Sequence, residues 1–180
     1  DRIFERMRSY GDDHPGVIDV LSKQHEALRE INKQFRVSVE GIVHGEVLPL
    51  LLAMDGETGL GMRLQNTIRY PQLMALGAIQ DQDRLFRLGQ ALAQQMKRLG
   101  VHLNFAPVAD VNNNPANPVI NTRSFGEDPQ RVARQVVALT GGMQSAGLLV
   151  AAKHFPGHGV TDADSHHALP VVPHGRQRLD

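Results

Sequence analysis

The chain has 180 residues, which is enough to form one domain with a substantial hydrophobic core. Its 19 basic and 19 acidic residues balance, so there is no electrostatic reason to expect binding to nucleic acid or to an anionic membrane. It contains no cysteine, which excludes a disulfide framework, a thiol nucleophile and a thiolate metal site. No signal peptide or membrane span is visible, and a compact neutral ligand is the partner that these features favour.

The first part of the chain combines a predicted helix with a predicted buried strand. Val17 to Phe35 carries apolar residues at helical spacing, and Arg36 to Val43 is a candidate short strand. Leu48 to Met54 is almost entirely apolar and runs into a polar turn that begins at Asp55. This pattern is typical of a buried strand that runs into a polar turn.

The middle of the chain predicts an amphipathic helix followed directly by a strand. Asp81 to Leu99 has acidic residues in its first turn and a leucine-rich face, and Gly100 is placed to end the helix. The strand is predicted over Val101 to Val108. The next segment, Asp110 to Pro115, is rich in Asn, which predicts an irregular loop.

The last helix and strand are marked by their end residues. Asp128 is a predicted N-cap with Pro129 at the first helical position, and the helix should stop near Gly147. An apolar strand follows over Leu148 to Ala152. Because helices alternate with strands, the pieces predict βαβ units in a parallel sheet, and the pattern alone does not separate a barrel from an open sheet.

The loop from Ala152 to Leu169 concentrates proton-transferring side chains at the carboxyl end of that strand, where α/β proteins bind ligands. Asp164 and His166 are one residue apart, so in an extended segment their side chains point to the same side and can pair. Such pairing fixes the tautomer of a histidine and raises its basicity, as a proton shuttle requires. The chemically active side chains of this loop are Lys153, His154, His158, Asp162, Asp164, His166 and His167.

Three segments together resemble glycoside hydrolase family three, particularly its bacterial β-N-acetylhexosaminidase branch. They are LLAMDGE at 51–57, LNFAPVADV at 103–111 with RSFG at 123–126, and KHFPGHG at 153–159 with DSH at 164–166. The resemblance implies an α/β fold, a (β/α)8 TIM barrel with its site on the loops at the carboxyl ends of the strands. We expect residues 1–180 to be a fragment of one N-terminal barrel domain of this family, truncated at both ends.

The resemblance also implies roles for individual residues. Asp55 corresponds to a carboxylate that grips sugar hydroxyls, and His166 resembles the general acid/base of the branch, with Asp164 as its partner. The Asp-Ser-His element narrows the implied substrate to a terminal β-linked N-acetylglucosaminide, as in cell-wall fragments or chitooligosaccharides. The other groups that look like sugar-pocket residues are Arg63, Arg123, Lys153 and His154.

Some residues are expected to be structural. Glu57 should shape the turn after Asp55 and perform no chemistry, and Asp110 should tie down its Asn-rich loop. The family's nucleophilic aspartate is expected outside these 180 residues, so the fragment alone should be inactive. Half a barrel would also expose sheet edges through which the fragment can self-associate.

Several alternatives stay open at this stage. They are phosphorolysis of N-acetylglucosaminides, a β-glucosidase, a non-catalytic sugar-binding remnant, and a metal site built from His154, His158, Asp162, Asp164 and His166. The leading hypothesis, a glycoside hydrolase, needs no metal and no cofactor. The sequence assigns no compartment, since the bacterial proteins that it resembles occur both in the cytoplasm and outside it.

Overall fold

The computed structural model describes residues 51–164, 167, 171 and 175. The helix predicted over Val17 to Phe35 and the strand predicted over Arg36 to Val43 lie outside these residues. In chain order the elements are β1 (Ala53–Met54), a 3-10 turn (Leu60–Met62), α1 (Leu73–Leu76), α2 (Gln82–Arg98), β2 (Leu103–Asn104), a second 3-10 turn (Asn121–Arg123), α3 (Pro129–Ser145) and β3 (Leu149–Val150).

The three strands form a parallel sheet in the order β1-β2-β3. Ala53 is opposite Leu103, which is in turn opposite Leu149. Past the strand ends, the chain after β2 and the chain after β3 pair once more through a parallel bridge between Val108 and Lys153. The predicted parallel βαβ arrangement is therefore confirmed, and it brings the three loops after the strands to one edge of the sheet.

The strands are shorter than the apolar runs that predicted them, and β1 is less buried than its sequence predicted. Leu51 and Leu52 are 45% and 40% exposed, because β1 is at one edge of the sheet that the described residues form. The burial predicted for the strand over Leu48 to Met54 is therefore not found at residues 51–54, the described part of that run. An apolar run shows that a segment tends to be buried. Its strand pairing and its actual burial depend on the segments that pack against it, which the run itself does not specify.

The two long helices begin where their capping residues predict. The carboxylate of Asp81 accepts a hydrogen bond from the backbone N–H of Asp83, and that of Asp128 accepts one from Arg131. Pro129 is the first residue of α3. Gly100 and Gly147, each just beyond a helix, have positive φ angles of 75° and 79°, which a glycine adopts at little cost.

Helices α2 and α3 pack closely against each other and against the sheet. The approach is closest where glycines meet: a Cβ atom on Gly142 would come within 2.0 Å of the Phe86 carbonyl oxygen, and one on Gly89 within 2.3 Å of the Leu139 carbonyl oxygen. The core between these helices and the sheet includes the buried side chains of Leu85, Leu92, Met96, Leu139, Met143, Leu148 and Val150. No helix of the described part is long and apolar enough to cross a membrane.

Candidate active site

Charged side chains from three separate loops meet at the carboxyl edge of the sheet. Asp55 follows β1 directly, Arg123 ends the 3-10 turn in the loop after β2, and Lys153 comes three residues after β3. In parallel α/β proteins this edge is where ligands bind. The fold therefore places the predicted sugar-pocket residues at the expected end of the sheet.

Asp55 divides its carboxylate between two cations. Its Oδ1 accepts a hydrogen bond from Lys153 Nζ at 2.8 Å, and its Oδ2 accepts one from Arg63 Nη2 at 3.2 Å. Arg63 also donates from Nε to the Asp55 backbone carbonyl at 3.1 Å. The Asp55 side chain is still 40% exposed, so a ligand can reach it.

Glu57 lies next to Asp55 and Lys153 and is almost fully buried, with a side chain that is 3% exposed. It accepts two hydrogen bonds from Arg123, from Nε to Oε2 at 3.0 Å and from Nη2 to Oε1 at 2.8 Å. The same Oε1 is 2.7 Å from Lys153 Nζ. The prediction that Glu57 shapes the local turn missed this contact, because the side chain reaches the two other loops of the site.

The ion pairs fix the protonation states of this cluster. Burial on its own would raise the pKa of Glu57, but the hydrogen bonds and charges of Arg123 and Lys153 outweigh it and hold the pKa below its ordinary value. The hydrogen bond to Glu57 raises the pKa of Arg123 against the opposing effect of burial. Both groups are therefore charged near neutral pH.

A second buried carboxylate, Asp110, organises the histidine loop. Its Oδ2 is 2.6 Å from Nδ1 of His154 and accepts a hydrogen bond from the His154 backbone N–H at 3.2 Å, while its Oδ1 accepts one from the backbone N–H of His158. The prediction that Asp110 ties down its own Asn-rich loop is wrong, because its carboxylate contacts a different loop. The carboxylate holds His154 and His158 instead, because its side chain reaches from the chain after β2 to the chain after β3.

These contacts determine how His154 presents its ring. An ionised carboxylate can only accept, so Nδ1 of His154 donates to Asp110, and this bond fixes the orientation of the ring. Burial would raise the pKa of Asp110, but the hydrogen bond from the His154 ring and that from the His158 backbone lower it below its ordinary value. Asp110 therefore stays ionised and acts as a fixed acceptor.

His158 is buried in the wall of the site. Its Nδ1 is 2.6 Å from Thr161 Oγ1, and its backbone carbonyl accepts a hydrogen bond from the Asn117 amide at 2.6 Å. Its ring lies edge-on to that of His154, with centroids 5.9 Å apart. The residue fixes the path of the loop and presents no open face to a ligand.

The structure joins four of the predicted site residues through ion pairs: Asp55, Arg63, Arg123 and Lys153. His154, the neighbour of Lys153 in the chain, pairs with Asp110 instead. Asp164 is described, and its backbone carbonyl accepts a hydrogen bond from His167 N at 3.0 Å. His166 lies outside the described residues, so its pairing with Asp164 stays a prediction. No group of three or more His, Asp or Glu side chains among the described residues is arranged to hold a metal ion.

Sequence reasoning missed the contributions of Glu57 and Asp110. A signal was present for Glu57, because it follows Asp55 by two residues just after a strand, at the edge of the sheet where ligands bind. For Asp110 no local signal exists, since its partners follow it by more than forty residues.

Comparison with known proteins agrees with this geometry. Residues 14–180 match the model of the glycosyl hydrolase family 3 N-terminal domain, and the chain belongs to that family. The domain is a TIM-barrel-like α/β fold, and the three described strands are part of such a barrel.

Relatives and solved structures add detail. The chain is 41% identical over 138 residues to beta-hexosaminidase A of Pseudoalteromonas piscicida, covering 74% of this chain and 23% of the relative. A family 3 beta-N-acetylglucosaminidase structure from Paenibacillus sp. str. FPU-7 has 46% identity and a TM-score of 0.68, over 73% of this chain and 25% of that one. A structure of the beta-glucoside phosphorylase BglX shares 29% identity with a TM-score of 0.62, over 75% and 25%. The chain thus spans about a quarter of the length of each of these proteins.

Proposed function

We propose that this chain forms the sugar-binding part of a retaining glycoside hydrolase that removes terminal β-linked N-acetylglucosamine. Residues 1–180 would belong to a single N-terminal barrel domain, with cell-wall fragments or chitooligosaccharides as the substrate class. The observation that carries the proposal is the cluster of Asp55, Arg123 and Lys153 at the carboxyl ends of three parallel strands. The similarity of the chain to a beta-hexosaminidase and a beta-N-acetylglucosaminidase supports the choice of sugar.

The cluster has the chemistry that a sugar ring requires. Sugar hydroxyls both donate and accept hydrogen bonds, and here exposed carboxylate oxygens lie beside guanidinium and ammonium donors. Asp55 would accept from hydroxyl groups, while Arg63, Arg123, Lys153 and His154 would donate or accept around it. Charged partners make hydrogen bonds about twice as strong as neutral ones, and they can hold a neutral ligand in one orientation.

The proton transfer is assigned to His166, with Asp164 as the partner that orients the imidazole. A retaining enzyme protonates the leaving oxygen and then deprotonates water with the same group. Histidine has an ordinary pKa near neutral pH, whereas a carboxyl group must be raised by burial to serve as the acid. None of the described residues is assigned as the nucleophile, which in a retaining mechanism is a carboxylate about 5 Å from the acid/base group.

The test compares two substrates and two leaving groups in the native full-length protein. We expect an aryl β-N-acetylglucosaminide to turn over strongly in preference to the aryl β-glucoside. The variant His166→Ala should lose about 10²- to 10⁴-fold in kcat/KM on a phenyl glycoside, and much less in kcat/KM on a dinitrophenyl glycoside, whose leaving group needs no proton.

The matched control is His102→Ala, because His102 immediately precedes β2 and so lies at the opposite edge of the sheet from the candidate site. It should retain wild-type turnover. Equal losses for His166→Ala on both leaving groups would contradict the acid role. Absence of turnover of either sugar by the wild-type protein would contradict the enzymatic proposal, and sugar binding without turnover would favour a non-catalytic binding protein.

Phosphorolysis is the second candidate, because the chain is also similar to a beta-glucoside phosphorylase and because the cluster carries more cations than carboxylates. A histidine acid/base would also repel an incoming phosphate less than a glutamate would. Turnover that depends on added phosphate and releases the sugar 1-phosphate would favour phosphorolysis over hydrolysis.

A further inference from the structure

Two positively charged side chains of the proposed sugar site share one carboxylate oxygen. Arg123 and Lys153 are both mostly buried, with side chains that are 26% and 19% exposed, and both contact the same oxygen, Oε1 of Glu57. Like charges at such a separation repel, and the repulsion grows as water is excluded. An anion between them is therefore needed to keep both at the site.

We propose that Glu57 is a positioning residue of the sugar site: its carboxylate holds the Arg123 guanidinium and the Lys153 ammonium side by side, so that both donate to the same sugar. This inference rests on the proposed function and deepens it. Glu57 itself is 3% exposed and beneath the cations, so it does not need to touch the sugar.

The way Arg123 uses its hydrogen-bond donors supports this role. Three of its five N–H groups go to described protein oxygens: Nε and Nη2 to Glu57 in a bidentate pair, and Nη1 to the Val119 carbonyl at 3.1 Å. One N–H on each of Nη1 and Nη2 is left for a ligand. The bidentate pair fixes the plane of the guanidinium, and with it the directions of those two donors.

The two carboxylates of the cluster have different tasks. Asp55 also contacts Lys153, but it is 40% exposed and shares its other oxygen with Arg63. A sugar hydroxyl that takes a lone pair of Asp55 would loosen its hold on Lys153. Glu57 is buried and keeps its contact with Lys153 throughout, so the ammonium stays in place while the exposed carboxylate exchanges partners.

The experiment uses the native full-length protein with the variant Glu57→Gln, which keeps the shape and removes the charge. The matched control is Glu127→Gln, which makes the same change at an exposed glutamate. We expect Glu57→Gln to raise KM for the aryl β-N-acetylglucosaminide, and the Kd for N-acetylglucosamine measured by calorimetry, by tenfold or more. The control should stay within twofold of wild type. The pKa values of the kcat pH profile should not move, because Glu57 transfers no proton.

A double-mutant cycle separates positioning from a general loss of stability. If Glu57 acts through Arg123 and Lys153, adding Glu57→Gln to the double variant Arg123→Gln/Lys153→Met should cost little beyond that double change. Losses that multiply, or a Glu57→Gln protein within twofold of wild type in both KM and Kd, would overturn the inference.

A shorter acid gives a second variant in case Glu57→Gln does not fold. Glu57→Asp keeps the charge but cannot reach both cations, so its KM and Kd should also rise, by less than those of Glu57→Gln. Wild-type values for a folded Glu57→Asp would overturn the positioning role. Failure of the proposed function has a different signature, since the wild-type protein would then neither turn over nor bind the sugar.

Discussion

At the scale of single residues, the candidate site depends on two buried carboxylates that belong to different networks. Glu57 pairs with Arg123 and Lys153, and Asp110 pairs with the ring and backbone of His154 and the backbone of His158. Both have a pKa that is lowered in the folded protein, because their partners outweigh the cost of burial. Each of them therefore stabilises the folded state only while it is ionised.

This linkage predicts how Asp110 affects acid stability. A group whose pKa is lower in the folded state stabilises it above its unfolded pKa, here 3.8, and the stabilisation is lost as pH falls through the folded value. We expect Asp110→Asn to unfold about 2 kcal/mol more easily at pH 7, since hydrogen bonds to a charged group are lost. Its free energy of unfolding should also fall less steeply below pH 4 than that of the wild-type protein.

Urea unfolding at pH 7 and at several values below pH 4 measures both effects. Asp162→Asn, at an exposed aspartate of the loop after β3, is the matched control and should follow the wild-type curve. A parallel acid slope for Asp110→Asn and wild type would show that Asp110 is not the group that titrates.

At the scale of secondary-structure elements, the contact between α2 and α3 depends on individual glycines. Gly142 faces the Phe86 carbonyl, where a methyl group would clash with backbone, whereas a Cβ atom on its neighbour Gly141 would lie 3.6 Å from the Phe86 ring. The second distance is ordinary van der Waals contact. Two adjacent glycines of α3 thus have opposite sensitivities to the same change.

We expect Gly142→Ala to destabilise the domain by about 1–3 kcal/mol, as overpacking does. Gly141→Ala should instead stabilise it by about 0.5–1 kcal/mol, because alanine loses less backbone entropy in a helix than glycine does. Thermal unfolding of the two variants beside the wild-type protein measures the difference. Equal shifts in Tm would mean that the helices do not approach as closely as the structure shows.

The elements also differ in how far they could be predicted. The starts of α2 and α3 were predictable, because Asp81, Asp128 and Pro129 act through bonds within one turn. The contact of Gly142 with Phe86 was not, because it depends on which helix packs opposite. The same holds for the site: motifs indicated Asp55 and Lys153, while the bridging role of Glu57 required knowing that three loops meet.

At the scale of the whole molecule, the described residues form only part of the sheet of a barrel domain. β1 is an edge of this sheet, and exposed apolar side chains lie along it and at the strand ends, including Leu51 and Leu52. Exposed edges and apolar patches favour pairing with another chain. Self-association of residues 1–180 therefore stays a prediction for this sequence produced alone.

Sedimentation velocity of residues 1–180 tests this prediction over a range of concentrations. We expect species larger than the monomer, and the variant Leu51→Lys should shift the population toward monomer because a charge at the edge opposes pairing. Ile68→Lys, at an exposed apolar residue in a loop, should have a smaller effect. A monomer at all concentrations would contradict the prediction.

The bridge between Glu57, Arg123 and Lys153 also bears on the order of events during synthesis. Glu57 and Arg123 are 66 positions apart, and Asp55 and Lys153 are 98 apart, so the contacts close long loops that form late in folding. A nascent chain that has not yet emerged as far as Lys153 holds two carboxylates with only part of their counter-charge. Competence to recognise a ligand should therefore arise in one step, when the third loop docks, and not build up gradually as the ribosome extends the chain.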